Sequence, residues 1–168
     1  MTQPMMRFNI DKLHTLVKGI DKNIVVKVGI FGDKAARKEG PLTNADVGLV
    51  HEVGSYKRNI PMRSFLRMPL FQKSKEIIAQ AGKNMKKLLA EGNKMQILKN
   101  LGVACEAAIG EAFNTKGFGL WRANKTATRR AKLRRGGFKG KKLARALKLA
   151  DSPLIDTGQL QRSISSKV

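Results

Sequence analysis

Cysteine is almost missing from this chain: Cys105 is the only one in 168 residues. A lone thiol closes no internal bridge, so a disulfide framework is excluded. Set among Ala104, Ala107 and Ala108, it reads as a small buried hydrophobe. Aromatic residues make up only 5 %, so the core has to be mostly aliphatic. No run approaches the roughly 20 apolar residues of a membrane span. The opening MTQPMMRFNIDKLH has no long apolar run and no cleavage-like site, which predicts a cytosol-like compartment and no membrane partner. Acids are scarce, 12 against 34 Lys and Arg, for a net charge of +22.

That surplus predicts polyanionic surroundings, either nucleic acid or acidic protein faces. It also costs self-repulsion, so part of the chain is expected to order only when a partner supplies counter-charge. The length suits one domain, and 42 % hydrophobic residues suffice for a core.

Several elements follow from periodicity. Leu13, Leu16, Val17 and Ile20 predict a short amphipathic helix over 8–20, with Asp11 as a possible cap. The clearest strand is 24–31, NIVVKVGIFG, with Ile24, Val26, Val28 and Ile30 on one face and apolar groups on the other too. It predicts a central strand with at least one face fully covered. After a polar loop, NADVGLVHEVGS predicts a helix capped by Asn44 and ended by Gly54. Pro61 and Pro69 set the course of the irregular stretch that follows.

Two long helices come next, over about 70–91 and 94–114. The first carries Ile77, Ile78, Ala81, Met85, Leu88 and Leu89 on one stripe; the second carries a broader stripe from Ile97 to Phe113. Small residues at 102, 104, 107, 108 and 110 would let a helix or sheet approach closely.

From 116 to 150 the character changes. No acid occurs between Glu111 and Asp151. The segment predicts an extended basic arm or long loop, with short helices at 125–134 and 141–149 around RRGGFKGKK as a hinge. Arg129, Arg130, Lys132, Arg134, Arg135, Lys139, Lys141 and Lys142 are the candidate contacts to a polyanion or partner. Phosphate neutralisation would give salt-sensitive, sequence-independent affinity. Aromatic interleaving is thin, with Phe118, Trp121 and Phe138 only, so a docking arm on acidic neighbours is favoured over a nucleic-acid arm or a merely solvated loop.

The ending, LIDTGQLQRSISSKV, predicts one helical turn and then a strand. Asp156 or Thr157 would cap the turn, with Gln159 completing a capping box, and Leu160 would point inward. Ile164 and Val168 share a strand face over 162–168. Antiparallel pairing with 24–31 is expected. The predicted fold class is therefore α+β: a small, mostly antiparallel sheet packed against the two long helices, with the basic arm inserted before the final strand of a single domain.

Catalytic signals are weak. VHEVGS begins like a zinc-protease helix, but Ser55 stands where the second histidine is required, and His14 is the only other imidazole. GIFGDKAARKEG lacks the Gly-Lys-Ser/Thr ending of a phosphate loop. Asp33, Asp46, Asp151 and Asp156 are scattered. No metal, no cofactor and no enzyme activity are expected.

Three stretches together resemble a known group. ADVGLVHEVGS followed by NIPMRSFLRMPL resembles the segment of tailed-phage tail-completion proteins in which a His-Glu-aromatic-Gly corner precedes a Pro-Arg-Pro-Phe-Leu-Arg-Pro run. Val53 stands where that aromatic is usual, and Met62, Ser64 and Met68 replace commoner residues. GLWRANKTATRRAK, with Trp121, resembles a stretch of phage virion-morphogenesis proteins. PLIDTGQLQRSISSKV resembles the ending common to both groups. The resemblance spans about 23–168 in the same order.

It implies a non-enzymatic virion component at the neck or upper tail, assembled in the host cytoplasm. Such proteins form rings, here a hexamer, between stopper or adaptor and tail terminator, with possible non-specific DNA contact. It also implies that His51, Glu52 and Gly54 form a structural corner. Ile60, Pro61, Arg63, Phe65, Leu66 and Arg67 would dock the next loop, and Asp156, Thr157, Gly158, Leu160, Ser163 and Ile164 would set the final turn and strand. The alternatives are a nucleic-acid-binding basic protein and an assembly factor absent from the mature particle.

Overall fold

A computed structural model describes residues 25–37, 41–83, 88, 91, 93–149 and 151–168. The helix expected over 8–20 lies outside them, as does most of 84–92. Among the described residues the chain is α+β, with seven α-helices and a two-stranded antiparallel sheet. In chain order these are β1 (Lys27–Ile30), α1 (Asn44–Val53), α2 (Arg67–Gln72), α3 (Ser74–Ala81), α4 (Lys94–Asn114), α5 (Thr126–Arg135), α6 (Gly140–Leu149), α7 (Gln159–Arg162) and β2 (Ile164–Lys167). A 3₁₀ turn, Gly32–Ala35, follows β1.

β1 and β2 pair antiparallel, with Ile30 opposite Ile164 and Lys27 opposite Lys167. The expected central strand is a correction: β2 is its one neighbour among the described residues. Cover comes instead from α4, against which both strands pack. Gly102 makes that approach possible, because a Cβ there would lie 2.7 Å from Ser166 Cβ, closer than carbon atoms tolerate. Glu106, one turn on, accepts the Ser166 N–H at 2.5 Å.

The main core joins Phe65, Ile109, Ala112, Phe113, Trp121 and Leu160, with Val28, Ile30 and Ile164 packed against it. Phe113 sits edge-on to both Phe65 and Trp121, at centroid distances of 5.5 and 5.6 Å. Such edge-to-face pairs add about 1 kcal/mol each beyond burial. A smaller cluster of Ile77, Ala104 and Ala108 seats α3 on α4. Cys105 lies half-buried beside it, and burial, with Glu106, pushes its thiol up from the ordinary value.

The first of the two long helices is not a single straight rod where it is described. It is α2 and α3, joined at Lys73, whose φ of −95° and ψ of 11° depart from helical values. The Lys73 N–H still bonds to Pro69 O, and its ammonium bridges Glu76 at 2.9 Å and Glu111 at 3.1 Å.

Two caps also differ from expectation. α1 is capped by Thr43, not Asn44: Thr43 Oγ1 accepts from Asp46 N–H, and Asp46 returns a bond from the Thr43 N–H. Asn44 is turned inward, where its Nδ2 donates to Lys34 O and Ala36 O and ties the turn after β1 to the helix. At α7 the expected Asp156–Gln159 box is absent. Gly158, in the left-handed region at φ 73°, is the cap residue and makes no side-chain bond. Arg135 draws Asp156 away into an ion pair at 2.6 Å, while Thr157 Oγ1 takes a long 3.4 Å bond from Gln159 N–H. Leu160 is buried as expected.

Candidate interaction site

Glu52 organises the corner. It lies on the inner line of α1 with Asn44 and Gly48, four residues apart, and is 7 % exposed. Gly48 leaves room for Ile30, Phe65 and Leu160. The Glu52 carboxylate accepts from Ser64 Oγ at 2.6 Å and from the N–H groups of Phe65, Leu66 and Arg67 at 2.8, 3.0 and 3.2 Å. Arg67 Nε adds a fifth donor at 2.9 Å. One side chain thus satisfies the main-chain donors of the turn leading into α2, and Ser64 Oγ accepts the next one, Met68 N–H, at 3.1 Å. Burial raises the Glu52 pKa, but the bonds from Ser64, Leu66 and Arg67 outweigh it and hold it below the ordinary value.

Gly54 ends α1 at φ 75°, and a Cβ there would meet Met62 N at 2.8 Å. The chain then makes a tight hairpin, with Ser55 and Ile60 bonded in both directions, and Pro61 leads out of it. Arg63 N–H returns to His51 O at 2.8 Å.

Arg63 is 5 % exposed. It donates to Arg122 O through Nε at 3.0 Å and Nη2 at 2.8 Å, and reaches Ala123 O and Asn124 Oδ1. Asn124 in turn donates to Asp151, from its main-chain N–H at 3.1 Å and its Nδ2 at 2.8 Å. Burial lowers the Arg63 pKa, and Asp151 opposes that shift.

Three stretches far apart in sequence therefore meet in one place. His51, Glu52 and Gly54 form the corner; Phe65, Trp121 and Leu160 share its core; Arg63 ties the loop at 61–67 to the segment after Trp121. Leu66 packs on the same cluster, as does Ile164, while Ser163 is buried and donates from Oγ to Leu160 O at 2.7 Å. Among the described residues no group of three or more His, Cys, Asp or Glu is arranged to hold a metal ion, and no helix is long and apolar enough to cross a membrane.

The basic segment is a helical hairpin, α5 and α6, turned at Gly136–Gly137 and packed against each other, with Leu143, Ala146 and Leu147 of α6 half-buried. Its cations divide into two sets. Lys132 donates to Ser152 O at 3.0 Å and Ile155 O at 2.6 Å, Arg129 to Leu147 O, and Arg135 to Asp156. Arg129 ties the two helices of the hairpin together, and Lys132 and Arg135 tie the hairpin to the segment at 152–156. Arg130, Arg134, Lys139, Lys141 and Lys142 are exposed.

Between the corner, α5 and α7 lies a cleft of about 300 Å³. It was not expected from the sequence, because its walls come from five separate stretches. His51 borders it, with Nδ1 buried and without a hydrogen-bond partner. Burial, then the charges of Arg63 and Lys132, push the imidazole down to about 4, so it is neutral at physiological pH.

Comparison with protein-family models, with curated proteins and with solved structures finds no match for this chain.

Proposed function

We propose that this chain is a structural subunit of a tailed-phage virion, a non-enzymatic ring component of the neck or upper tail joining the head-side connector to the tail. The observation that carries this is the meeting of the three resembling stretches in one core. Phe65, Trp121 and Leu160 each come from a different stretch and touch the same cluster. Residues that cap, turn and pack account for those stretches without chemistry.

The surface suits a joint. Leu49, Val53, Tyr56 and Met62 are exposed along α1 and its hairpin, with Tyr56 fully so, and offer apolar area for a neighbouring copy. Like charge opposes ring closure at +22, so acidic surface on the adjoining stopper, adaptor or tail terminator is the expected counter-charge. Many weak contacts forming together around a ring, hexameric in this proposal, would make completion effectively irreversible.

A purified virion should contain the chain by mass analysis, and residues 126–149 should be cut by protease in the free protein and protected in the particle. Absence from the virion would replace the ring role with that of an assembly factor. The second reading, nucleic-acid binding, is favoured by the exposed cations of the hairpin, Arg130, Arg134, Lys139, Lys141, Lys142 and Arg145 among them. It requires tight binding to generic DNA with a steep salt slope and no affinity for tail proteins.

A further inference from the structure

The cleft has an unusual charge balance. Six cations line it, Arg37, Arg63, Arg122, Lys125, Lys132 and Arg135, against the single carboxylate of Asp156, which Arg135 already holds. Of the six, Arg63 is buried and Lys132 half-buried. Arg63 and Lys132 are bound by main-chain carbonyls and by Asn124, with no carboxylate in direct contact. Carbonyl dipoles satisfy their hydrogen bonds, and Asp151 and Asp156 offset their charge only in part: burial still lowers both pKa values. Arg122 and Lys125 are exposed at the mouth. The walls between the cations are apolar: Val47, Ile60, Pro61, Leu154 and Leu160.

We infer that this cleft binds an acidic peptide segment of a partner protein, seating a carboxylate among the cations and an adjacent aliphatic side chain on the apolar wall. The alternation of charge and apolar surface is what favours a peptide over a nucleic-acid backbone, which offers phosphates without aliphatic groups and tracks continuous basic grooves. Apolar walls lower the local dielectric and strengthen the attraction relative to the exposed hairpin face. The site stands independently of the ring role, since its chemistry is set by this chain alone.

The unpartnered His51 gives the site a reporter. An anion beside Arg63 and Lys132 offsets the charges that suppress imidazole protonation. Occupancy therefore raises the His51 pKa.

The experiment uses the full chain and a short, terminally blocked peptide of alternating leucine and glutamate, labelled for fluorescence anisotropy. The double variant Arg122→Ala/Lys125→Ala removes two charges at the mouth; Arg63 stays anchored, because it holds the carbonyl of residue 122 and not its side chain. The variant Arg130→Ala/Lys141→Ala removes equal charge from the exposed hairpin. The expected result is saturable binding that weakens at least about tenfold in the first variant and less than about threefold in the second, with the His51 ring titrating at higher pH when the peptide is bound. Equal losses in both variants would reduce the effect to diffuse electrostatics and overturn the inference. So would failure of the peptide to saturate, or tighter cleft-dependent binding of a single-stranded oligonucleotide of the same charge. Thermal melts of both variants confirm that each is folded.

Discussion

Arg63 reaches the carbonyl of Arg122 with two donors, at 3.0 and 2.8 Å, across 59 positions of sequence. That fork binds the loop after the α1 corner to the segment that follows Trp121. It also fixes the chain that leads into the basic hairpin.

Arg63→Met keeps the stem and removes the fork, leaving Arg122 O without its donor. A loss of about 2 kcal/mol is expected from the unmade bonds. Urea unfolding followed by the fluorescence of Trp121, the single tryptophan, measures it, and an unchanged midpoint would show that the fork is dispensable.

Glu52→Gln keeps the shape and loses the charge that accepts five bonds. At neutral pH the variant should be less stable by roughly 2–3 kcal/mol. Because the folded pKa is held below 4.5, the carboxylate contributes stability above that value and loses it as the pH falls through the folded pKa. The wild-type curve should therefore drop below pH 4.5, and the glutamine variant should be flatter there.

His51 acts in a different window. The folded imidazole refuses a proton down to about 4 while the unfolded one accepts it near 6.5. The unfolded chain thus binds more protons between these values, and stability declines as pH falls from 6.5 toward 4. His51→Gln should remove most of that slope in pH-dependent thermal melts, whereas an unchanged slope would place its origin elsewhere.

Gly102→Val forces a side chain against Ser166, where even a Cβ would be 2.7 Å from Ser166 Cβ. Expected is a loss of about 2 kcal/mol from overpacking, with faster amide exchange at Ser165, Ser166 and Lys167. Exchange unaltered in β2 would mean that α4 does not hold the strand.

The sheet was legible from β-branched alternation at 24–31 and from Ile164 in a terminal strand, because strand periodicity and terminal pairing are local signals. So was α4, from its long aliphatic stripe, and so were the two helices of the basic segment, punctuated by Gly136 and Gly137. The anchor at Glu52 was visible only as part of a motif. An acid on a helix ordinarily faces solvent, and its true signal was the spacing Asn44–Gly48–Glu52, which puts a polar line on the inner face. The cap at Thr43 lay one residue upstream of an equally good capping type. Asp156 looked like a cap because the competing partner, Arg135, is 21 positions away. The cleft had no local signature, since its cations come from stretches that only the fold assembles.

Image reconstruction of the intact neck of purified virions tests the central claim most directly. The account predicts density for this fold in a closed ring between connector and tail, with the α5–α6 hairpin against an adjacent protein. A neck fully explained by other chains, with none of this one present, would contradict it.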